Sequence, residues 1–235
     1  AVKSYSHRFI YNDIASLEAL LDSLRGKVAC IIMEPISRQQ PDEGYLEAVR
    51  QLADRYGVLL IFDEVVTGFR FSTGGYQKIC GVVPDLACFS KAIANGMPLS
   101  ALVGKKEYMR KCPEIFYSLT FAGETLSLAA AKSVMQVMDE NNVSDVIKQN
   151  GAYFLNHVNK LIEKNELQDI LSVQGYETRN VMMVRDAEDI KAEYIRTYWI
   201  QELADKGVLT AGYHIISYAH TVDVLDQMIA SYDET

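Results

Sequence analysis

The sequence predicts an α/β fold, with a mainly parallel sheet flanked by helices and followed by a small α+β domain. Two continuous apolar runs, residues 28–33 and 58–62, have the composition of strands buried on both faces. An amphipathic helix over residues 44–56 joins them into a βαβ unit, which favours parallel pairing. Long helical patterns follow later in the chain, and we predict a first domain over residues 1–145 and a second over 146–235.

Local patterns predict the remaining elements. Asn12 or Asp13 can cap a helix over residues 14–24, whose leucines fall on one stripe. Gly57 should end the helix that precedes it. Further strands are predicted over residues 86–89, 100–103 and 181–184, and further helices over residues 122–140, 145–164, 193–206 and 222–231.

Composition and charge exclude several classes of protein. The 235 residues are 49% hydrophobic and 23% charged, which is ordinary for a globular protein and too apolar for a disordered one. No apolar run approaches the length of a membrane span. The net charge of -8 argues against nucleic acid as a partner, because nucleic-acid binding normally needs a basic face.

Cysteine and histidine spacing predicts neither disulfides nor a metal site. Cys30, Cys80, Cys88 and Cys112 form no CxxC pair, and Cys30 and Cys88 lie in apolar runs typical of buried free thiols. The histidines lack the spacing of metal ligands. Residues 1–11 lack the apolar segment of a signal peptide, so we expect a reducing, cytoplasmic setting.

Two acidic residues end the second apolar strand. Asp63 and Glu64 follow residues 58–62, and ligands of parallel α/β sheets bind outside the carboxyl ends of the strands. At least one of the two acids should therefore face a ligand crevice. The same pattern occurs in P-loop ATPases, but no GxxxxGK[ST] motif precedes it here. An acidic helix cap at a strand end is the structural alternative for this pair.

A lysine follows the next predicted strand. Lys91 comes directly after Ser90, and its flanking residues are apolar, which favours the neutral amine that Schiff-base chemistry requires. A solvated surface lysine is the alternative. An aspartate and a lysine at neighbouring strand ends match the needs of pyridoxal 5′-phosphate, whose aldehyde requires a lysine and whose ring nitrogen requires an anion.

These residues carry a family resemblance. FDEVVTGFR, residues 62–70, and FSKAIANGMPLSALVG, residues 89–104, resemble the class III aminotransferases, which are pyridoxal-phosphate enzymes of fold type I, and in particular the glutamate-1-semialdehyde aminomutase branch. The resemblance implies that Asp63 pairs with the ring nitrogen, Val65 packs against the ring and Lys91 forms a Schiff base with the cofactor. It extends over essentially the whole chain.

A third segment implies a second subunit. LTFAGETLSLAAA, residues 119–131, resembles the family segment that binds the cofactor phosphate of a neighbouring subunit, which implies a homodimer with Thr120 as the phosphate ligand. A hydroxyl and free backbone N–H groups at a helix N-terminus would suit an anion, and a plain helix cap is the alternative. Glu34, at another predicted strand end, and Ser90 are further candidate site residues.

Departures from the family pattern bear on the substrate. Val66 stands where many transaminases of this class have glutamine, which favours an aminomutase-like chemistry. Glu124-Thr125 replaces a common Asn-Pro pair. We expect a pyridoxal-phosphate-dependent aminotransferase or aminomutase that acts on an amino acid, an amino aldehyde or a related amine.

The resemblance concerns the carboxyl-terminal portion of the family. It implies the second half of the cofactor-binding large domain, residues 1–145, and the small domain, residues 146–235. Because the resemblance covers only this portion of the family's proteins, two alternatives remain. The chain could be a non-catalytic remnant that acts through dimerisation, or one half of a split enzyme whose partner is a separate amino-terminal half.

Overall fold

A computed structural model describes residues 2–116 and 119–235 of the chain. The chain divides into two compact units, Ala1–Met138 and Asp139–Thr235. The division falls inside the helix Thr125–Glu140, somewhat before the predicted domain end at residue 145. Among the described residues, no helix is both long and apolar enough to cross a bilayer.

The first unit is built on a mainly parallel sheet. Its strands, as far as the structure describes them, follow the order β1 (Cys30–Met33), β2 (Leu59–Asp63), β3 (Leu86–Phe89) and β4 (Ala101–Gly104). β1, β2 and β3 are parallel, as the βαβ pattern predicted, whereas β4 runs antiparallel to β3. Because the link between β3 and β4 is too short for a crossover helix, only the antiparallel direction is open to β4.

The helices of this unit begin and end at recognisable signals. Asp13 caps the first helix, as predicted, by accepting a hydrogen bond from the Ser16 N–H at 2.9 Å. Gly57 ends the second helix in the left-handed conformation, with φ of 65°. The helices are α1 (Ile14–Ser23), α2 (Tyr45–Tyr56), α3 (Gln77–Cys80), α4 (Lys106–Met109) and α5 (Thr125–Glu140).

The core of the first unit lies on one face of the sheet. Side chains from α1 and α2 pack there against alternate residues of β1 and β2. Burial of such apolar surface is the main favourable term in folding. The buried residues of this layer include Leu17, Leu21, Ile31, Met33, Leu46, Val49, Leu52, Leu60 and Phe62.

The opposite face, which we call the open face, is less covered. It carries Cys30, Ile32, Leu59, Ile61, Asp63, Leu86, Cys88 and Leu102. Ile32 is 58% exposed and Leu102 47%. The prediction of strands buried on both faces is therefore wrong, and so is that of buried thiols, because Cys30 is exposed and Cys88 half-buried. The apolar composition predicted the strands, but α1 and α2 cover only one side of them.

The second unit pairs an antiparallel sheet with helices. Its described strands are β5 (Leu171–Tyr176), β6 (Arg179–Val184) and β7 (Tyr213–Ile215), in that order, and its helices are α6 (Val143–Lys164), α7 (Ala192–Asp205) and α8 (Val222–Asp233). Two of these strands were not predicted from the sequence: β5 mixes polar residues with glycine, and β7 has only three residues. Helix α6 packs against β5 and α8, and α7 packs against β6.

A buried polar group ties this sheet to its last helix. His214 Nδ1 lies 2.6 Å from Asn180 Oδ1, and its Nε2 lies 2.7 Å from the Tyr232 hydroxyl. Asn180 donates its amide N–H to the Tyr176 carbonyl, so its oxygen faces the imidazole and accepts from Nδ1. Burial lowers the pKa of His214 from 6.5 to about 4. The imidazole is therefore neutral near pH 7 and accepts the Tyr232 proton at Nε2.

Acidification should weaken the second unit through His214. The unfolded chain takes up a proton near pH 6.5, whereas the folded chain does so only near pH 4, so stability falls as the pH falls between these values. Across this pH range the free energy of unfolding should fall by about 3 kcal/mol in total. Urea unfolding followed by the fluorescence of Trp199, whose ring packs edge-on against Tyr232, measures it.

Two variants check this assignment. The His214→Gln chain should lose this component of the pH dependence, since no group at position 214 then titrates. The His7→Gln chain, altered at an exposed histidine, should keep it. An unchanged pH dependence in the His214→Gln chain would contradict the assignment.

Candidate active site

Asp63 and Lys91 lie at the same edge of the first sheet. Asp63 is the last residue of β2 and pairs in register with Cys88 of β3. Lys91 follows the end of β3 by two residues. Because β2 and β3 are parallel, their carboxyl ends meet at one edge, where α/β sheets bind ligands.

The Asp63 side chain belongs to the open face. It is half-buried, and its Oδ1 accepts a hydrogen bond from the Val65 N–H at 3.1 Å. Burial raises the pKa of the neighbouring Cys88 thiol, and the negative charge of Asp63 raises it further. The carboxylate therefore acts electrostatically on the open face, away from the apolar core on the other side.

Lys91 has a strained backbone and an exposed side chain. Its φ of 49° lies in the left-handed region, where a side chain costs about 1–2 kcal/mol. Such strain concentrates at functional sites. The prediction of a partly desolvated lysine is wrong for the described chain, since the short helical turn Lys91–Ile93 carries Lys91 beyond the end of the strand into an exposed position.

A cavity of about 630 Å³ brings Lys91 and Thr120 together. One wall comes from the segment after β3 and the other from the turn before α5. The lining residues are Ser90, Lys91, Gly96, Met97, Pro98, Leu99, Ser100, Leu119, Thr120, Phe121, Ala122 and Gly123. The cavity thus contains three of the predicted site residues.

Ser90 holds the loop that follows Lys91. Its hydroxyl donates to the Leu99 carbonyl at 3.0 Å and lies 3.0 Å from the Ser100 hydroxyl. These contacts close the segment 90–100 into a loop whose first residues carry Lys91. Ser90 thus lies at the base of this loop, directly before Lys91.

The segment around Thr120 differs from the prediction. Helix α5 begins at Thr125, so Thr120 lies in the preceding turn, where it is exposed. The carboxylate of Glu124 accepts the backbone N–H groups of Leu126 and Ser127, each at 2.7 Å, and the Ser127 hydroxyl. The prediction that Thr120 opens this helix is therefore wrong, and the chain's own carboxylate already accepts the Leu126 and Ser127 N–H groups in the first turn of α5.

The remaining predicted residues flank the strand ends. Glu34 directly follows β1 and is half-buried at the same edge as Asp63. Val65 is half-buried two residues after Asp63. Like Asp63, neither residue lines the cavity that contains Lys91. In the ranges that the structure describes, no three histidine, cysteine or acidic side chains are grouped as metal ligands.

Glu64 fits the structural alternative given for these two acids, a helix cap, because it accepts the N–H groups of Tyr76 and Gln77 at the start of α3. Its side chain is fully buried and accepts hydrogen bonds from Thr67, Tyr76 and Gln77. The two acids at the end of β2 thus separate, with Asp63 on the open face and Glu64 inside the fold. The Thr67 hydroxyl, three residues after Glu64, was the local signal for such a hydrogen bond. The other two donors, Tyr76 and Gln77, lie more than ten residues away along the chain.

The family model for class-III aminotransferases matches residues 4–233. The chain belongs to the class-III aminotransferases. The 3-aminobutyryl-CoA aminotransferase of Cloacimonas acidaminovorans is 36% identical, over 97% of this chain and 57% of its own length. The glutamate-1-semialdehyde 2,1-aminomutase of Methanosphaera stadtmanae is 34% identical, over 93% of this chain and 55% of its own length. The chain thus spans little more than half the length of these curated relatives.

Solved structures confirm the predicted fold of this class-III chain. The FumI protein of Sphingopyxis sp. MTA144, in its pyridoxal-phosphate internal aldimine form, superposes with a TM-score of 0.88 at 25% identity. The match covers 97% of this chain and 56% of that protein. The α/β architecture is that of the fold-type-I transaminases.

Removal of the Glu124 cap should destabilise α5. Bonds from the Ser127 hydroxyl and from the Ser127 and Leu126 N–H groups lower the pKa of Glu124, so the cap is present at neutral pH and is lost as the carboxylate is protonated in acid. The Glu124→Gln chain should melt about 2–4 °C lower at pH 7, the shift that a lost cap gives in a chain of this size. Circular dichroism at 222 nm measures it. A melting difference that does not shrink in acid would contradict the role.

Proposed function

We propose that this chain is the catalytic-lysine portion of a pyridoxal-phosphate-dependent aminotransferase or aminomutase. The observation that carries the proposal is the pairing of β2 with β3, which brings Asp63 and Lys91 to the carboxyl ends of adjacent parallel strands. Membership of the class-III family and the likeness to a protein solved with pyridoxal phosphate support it.

The residues present fit the cofactor. Pyridoxal phosphate offers an aldehyde, a basic ring nitrogen and a phosphate, which require an amine, an anion and hydrogen-bond donors. Lys91, Asp63 and Thr120 are an amine, a carboxylate and a hydroxyl at one end of the first unit. Lys91 and Thr120 line one cavity, and Asp63 lies on the neighbouring strand end.

Each residue has a defined part in this proposal. The bound cofactor supplies an aldehyde for amines and a ring that accepts electrons from the substrate α-carbon. Lys91 would hold the cofactor through its aldehyde and would carry a proton to and from the reacting carbon of the substrate. Asp63 keeps the ring nitrogen protonated, Val65 packs against the ring and Thr120 donates to the phosphate. Ser90 orients Lys91, and Glu34 borders the site.

The substrate class is an amino acid, an amino aldehyde or a related amine. The two curated relatives are named as an aminotransferase and an aminomutase, so the family branch includes both reactions. Val66 stands where many transaminases of this class have glutamine, and this apolar residue favours the aminomutase-like reaction. Rapid conversion of an amino aldehyde without a keto-acid partner would distinguish this reaction from transamination.

Borohydride reduction should fix the cofactor on Lys91. After pyridoxal phosphate is added to the chain and reduced, peptide mapping should find the pyridoxyl group on Lys91. The Lys91→Ala chain should lose roughly tenfold or more of the bound label, because its amine is the proposed anchor. The Lys106→Ala chain, altered at an exposed lysine, should be labelled like the parent. A label on another lysine would overturn the assignment. A folded chain without label would favour the non-catalytic alternative, or the split enzyme if a separately produced amino-terminal half restores the label.

A homodimer in which Thr120 serves the partner's cofactor is the proposed assembly. Thr120→Val should weaken cofactor binding by about 1.5–3 kcal/mol, very roughly ten- to hundredfold, because a charge-assisted hydrogen bond is lost. At limiting cofactor, labelling of Lys91 in the Thr120→Val chain measures this loss. The cavity of a single chain already contains both Lys91 and Thr120, so a role within the same subunit is the competing arrangement.

Mixed dimers separate the two arrangements. When the Thr120→Val chain pairs with the Lys91→Ala chain, a site formed across subunits regains both groups, and labelling of Lys91 should return toward the parent value. The two chains carry different tags, so that mixed dimers are isolated before the measurement. Labelling as weak in these dimers as in the Thr120→Val homodimer would refute the cross-subunit role.

A further inference from the structure

Glu64 is a buried carboxylate with a full set of donors. Its Oε2 accepts the Thr67 hydroxyl at 2.5 Å and the Tyr76 N–H at 2.8 Å, and its Oε1 accepts the Gln77 N–H at 3.0 Å. The side chain has no exposed surface. Since a buried charge is costly unless it is hydrogen-bonded, this arrangement depends on all three donors.

The carboxylate closes a loop. Its donors lie three, twelve and thirteen residues after Glu64, so it joins both ends of the segment 65–75, which we call the 65–75 loop. Gly75 has a φ of 76°, and a Cβ atom there would lie 2.5 Å from Glu64 Oε1. The backbone therefore wraps so closely around the carboxylate that no side chain fits at position 75.

The same loop contacts the ends of β2 and β3, the two strands that lead to Asp63 and Lys91. Its first residue, Val65, donates its N–H to Asp63 Oδ1 at 3.1 Å. Farther along, a Cβ atom at Gly68 would lie 2.4 Å from the Phe89 ring, and Phe69 packs edge-on against that ring with centroids 5.8 Å apart. Phe89 ends β3, two residues before Lys91.

We propose that Glu64 is a positioning residue that fixes Asp63 relative to Lys91 through the 65–75 loop. The buried carboxylate holds the loop, and the loop's first N–H holds Asp63. The middle of the loop packs against Phe89 at the end of β3, two residues before Lys91. As far as it concerns pyridoxal phosphate, this inference rests on the function proposed above.

Two substitutions weaken the hydrogen bonds of Glu64 that hold the 65–75 loop, with little change in side-chain shape. In Glu64→Gln an amide NH2 replaces one carboxylate oxygen and meets a backbone N–H, because both oxygens accept from backbone donors. Thr67→Val removes the hydroxyl and keeps the branched shape of a buried side chain. Thr67→Ser keeps the hydroxyl and is the matched control. If the Glu64→Gln chain fails to fold, the Thr67→Val chain still tests the proposal, because it removes only one of the three donors to Glu64.

The native Cys88 thiol measures the position of Asp63 without any cofactor. Cys88 pairs with Asp63, and its pKa responds to burial and to the Asp63 charge. In a Cys30→Ser, Cys80→Ser, Cys112→Ser background, the pH dependence of thiol–disulfide exchange reports this pKa. Glu64→Gln and Thr67→Val should lower the Cys88 pKa toward that of Asp63→Asn, and Thr67→Ser should not.

A double substitution separates positioning from simple loosening. In the Asp63→Asn background, Glu64→Gln should leave the Cys88 pKa unchanged, because the charge that it displaces is absent. A decrease of the same size in both backgrounds would overturn the proposal, since greater exposure of the thiol would then explain it. An unchanged Cys88 pKa in Glu64→Gln, with faster amide exchange at Tyr76 and Gln77, would also overturn it.

Borohydride labelling then tests the effect on Lys91. At limiting pyridoxal phosphate, Glu64→Gln and Thr67→Val should reduce labelling of Lys91 by about tenfold. This is the change in binding expected when the net contribution of one hydrogen bond is lost. Thr67→Ser should be labelled like the parent. Equal labelling in Glu64→Gln and the parent would overturn the effect of Glu64 on the cofactor site. Absence of label in the parent, even with a separately produced amino-terminal half, would refute the proposed function, and the Cys88 measurements would still decide the positioning role.

Discussion

One apolar layer, between the sheet and helices α1 and α2, holds the first unit together. Leu60 and Phe62 of β2 enter it and are fully buried, whereas Asp63, the next residue, belongs to the open face. Since successive strand residues face opposite sides, a shift of one residue in β2 would exchange core and site. The burial that drives folding therefore also determines which side of the sheet carries the chemistry.

Much of the first unit could be predicted because its signals are local. Continuous apolar runs mark β1 and β2. Asp13 begins α1 through a hydrogen bond of its side chain, and Gly57 ends α2 through its left-handed backbone. Which face of a strand is covered is not a local property. Residues 28–33 are equally apolar on both sides, and only the placement of α1 and α2 leaves Ile32 exposed. The short β7 and the mixed β5 depend in the same way on their partner β6.

The candidate site divides along similar lines. The apolar runs predicted that Asp63 and Lys91 follow neighbouring strands, and the parallel pairing of β2 with β3 brings both to one edge of the sheet. The donors to Glu64 come from beyond a loop, so no spacing rule reveals them. Glu124 was visible as a departure from the family pattern. Its consequence, a helix that starts later and binds its own carboxylate, needed the backbone geometry.

The left-handed backbone at Lys91 has an evolutionary consequence. Glycine or asparagine adopts this conformation at less cost than lysine, so selection for stability alone would favour their appearance at position 91. A lysine there makes the chain slightly less stable than it could be. If the chemistry of this site ceased to matter in a lineage, position 91 would be among the first where drift and stability selection act in the same direction.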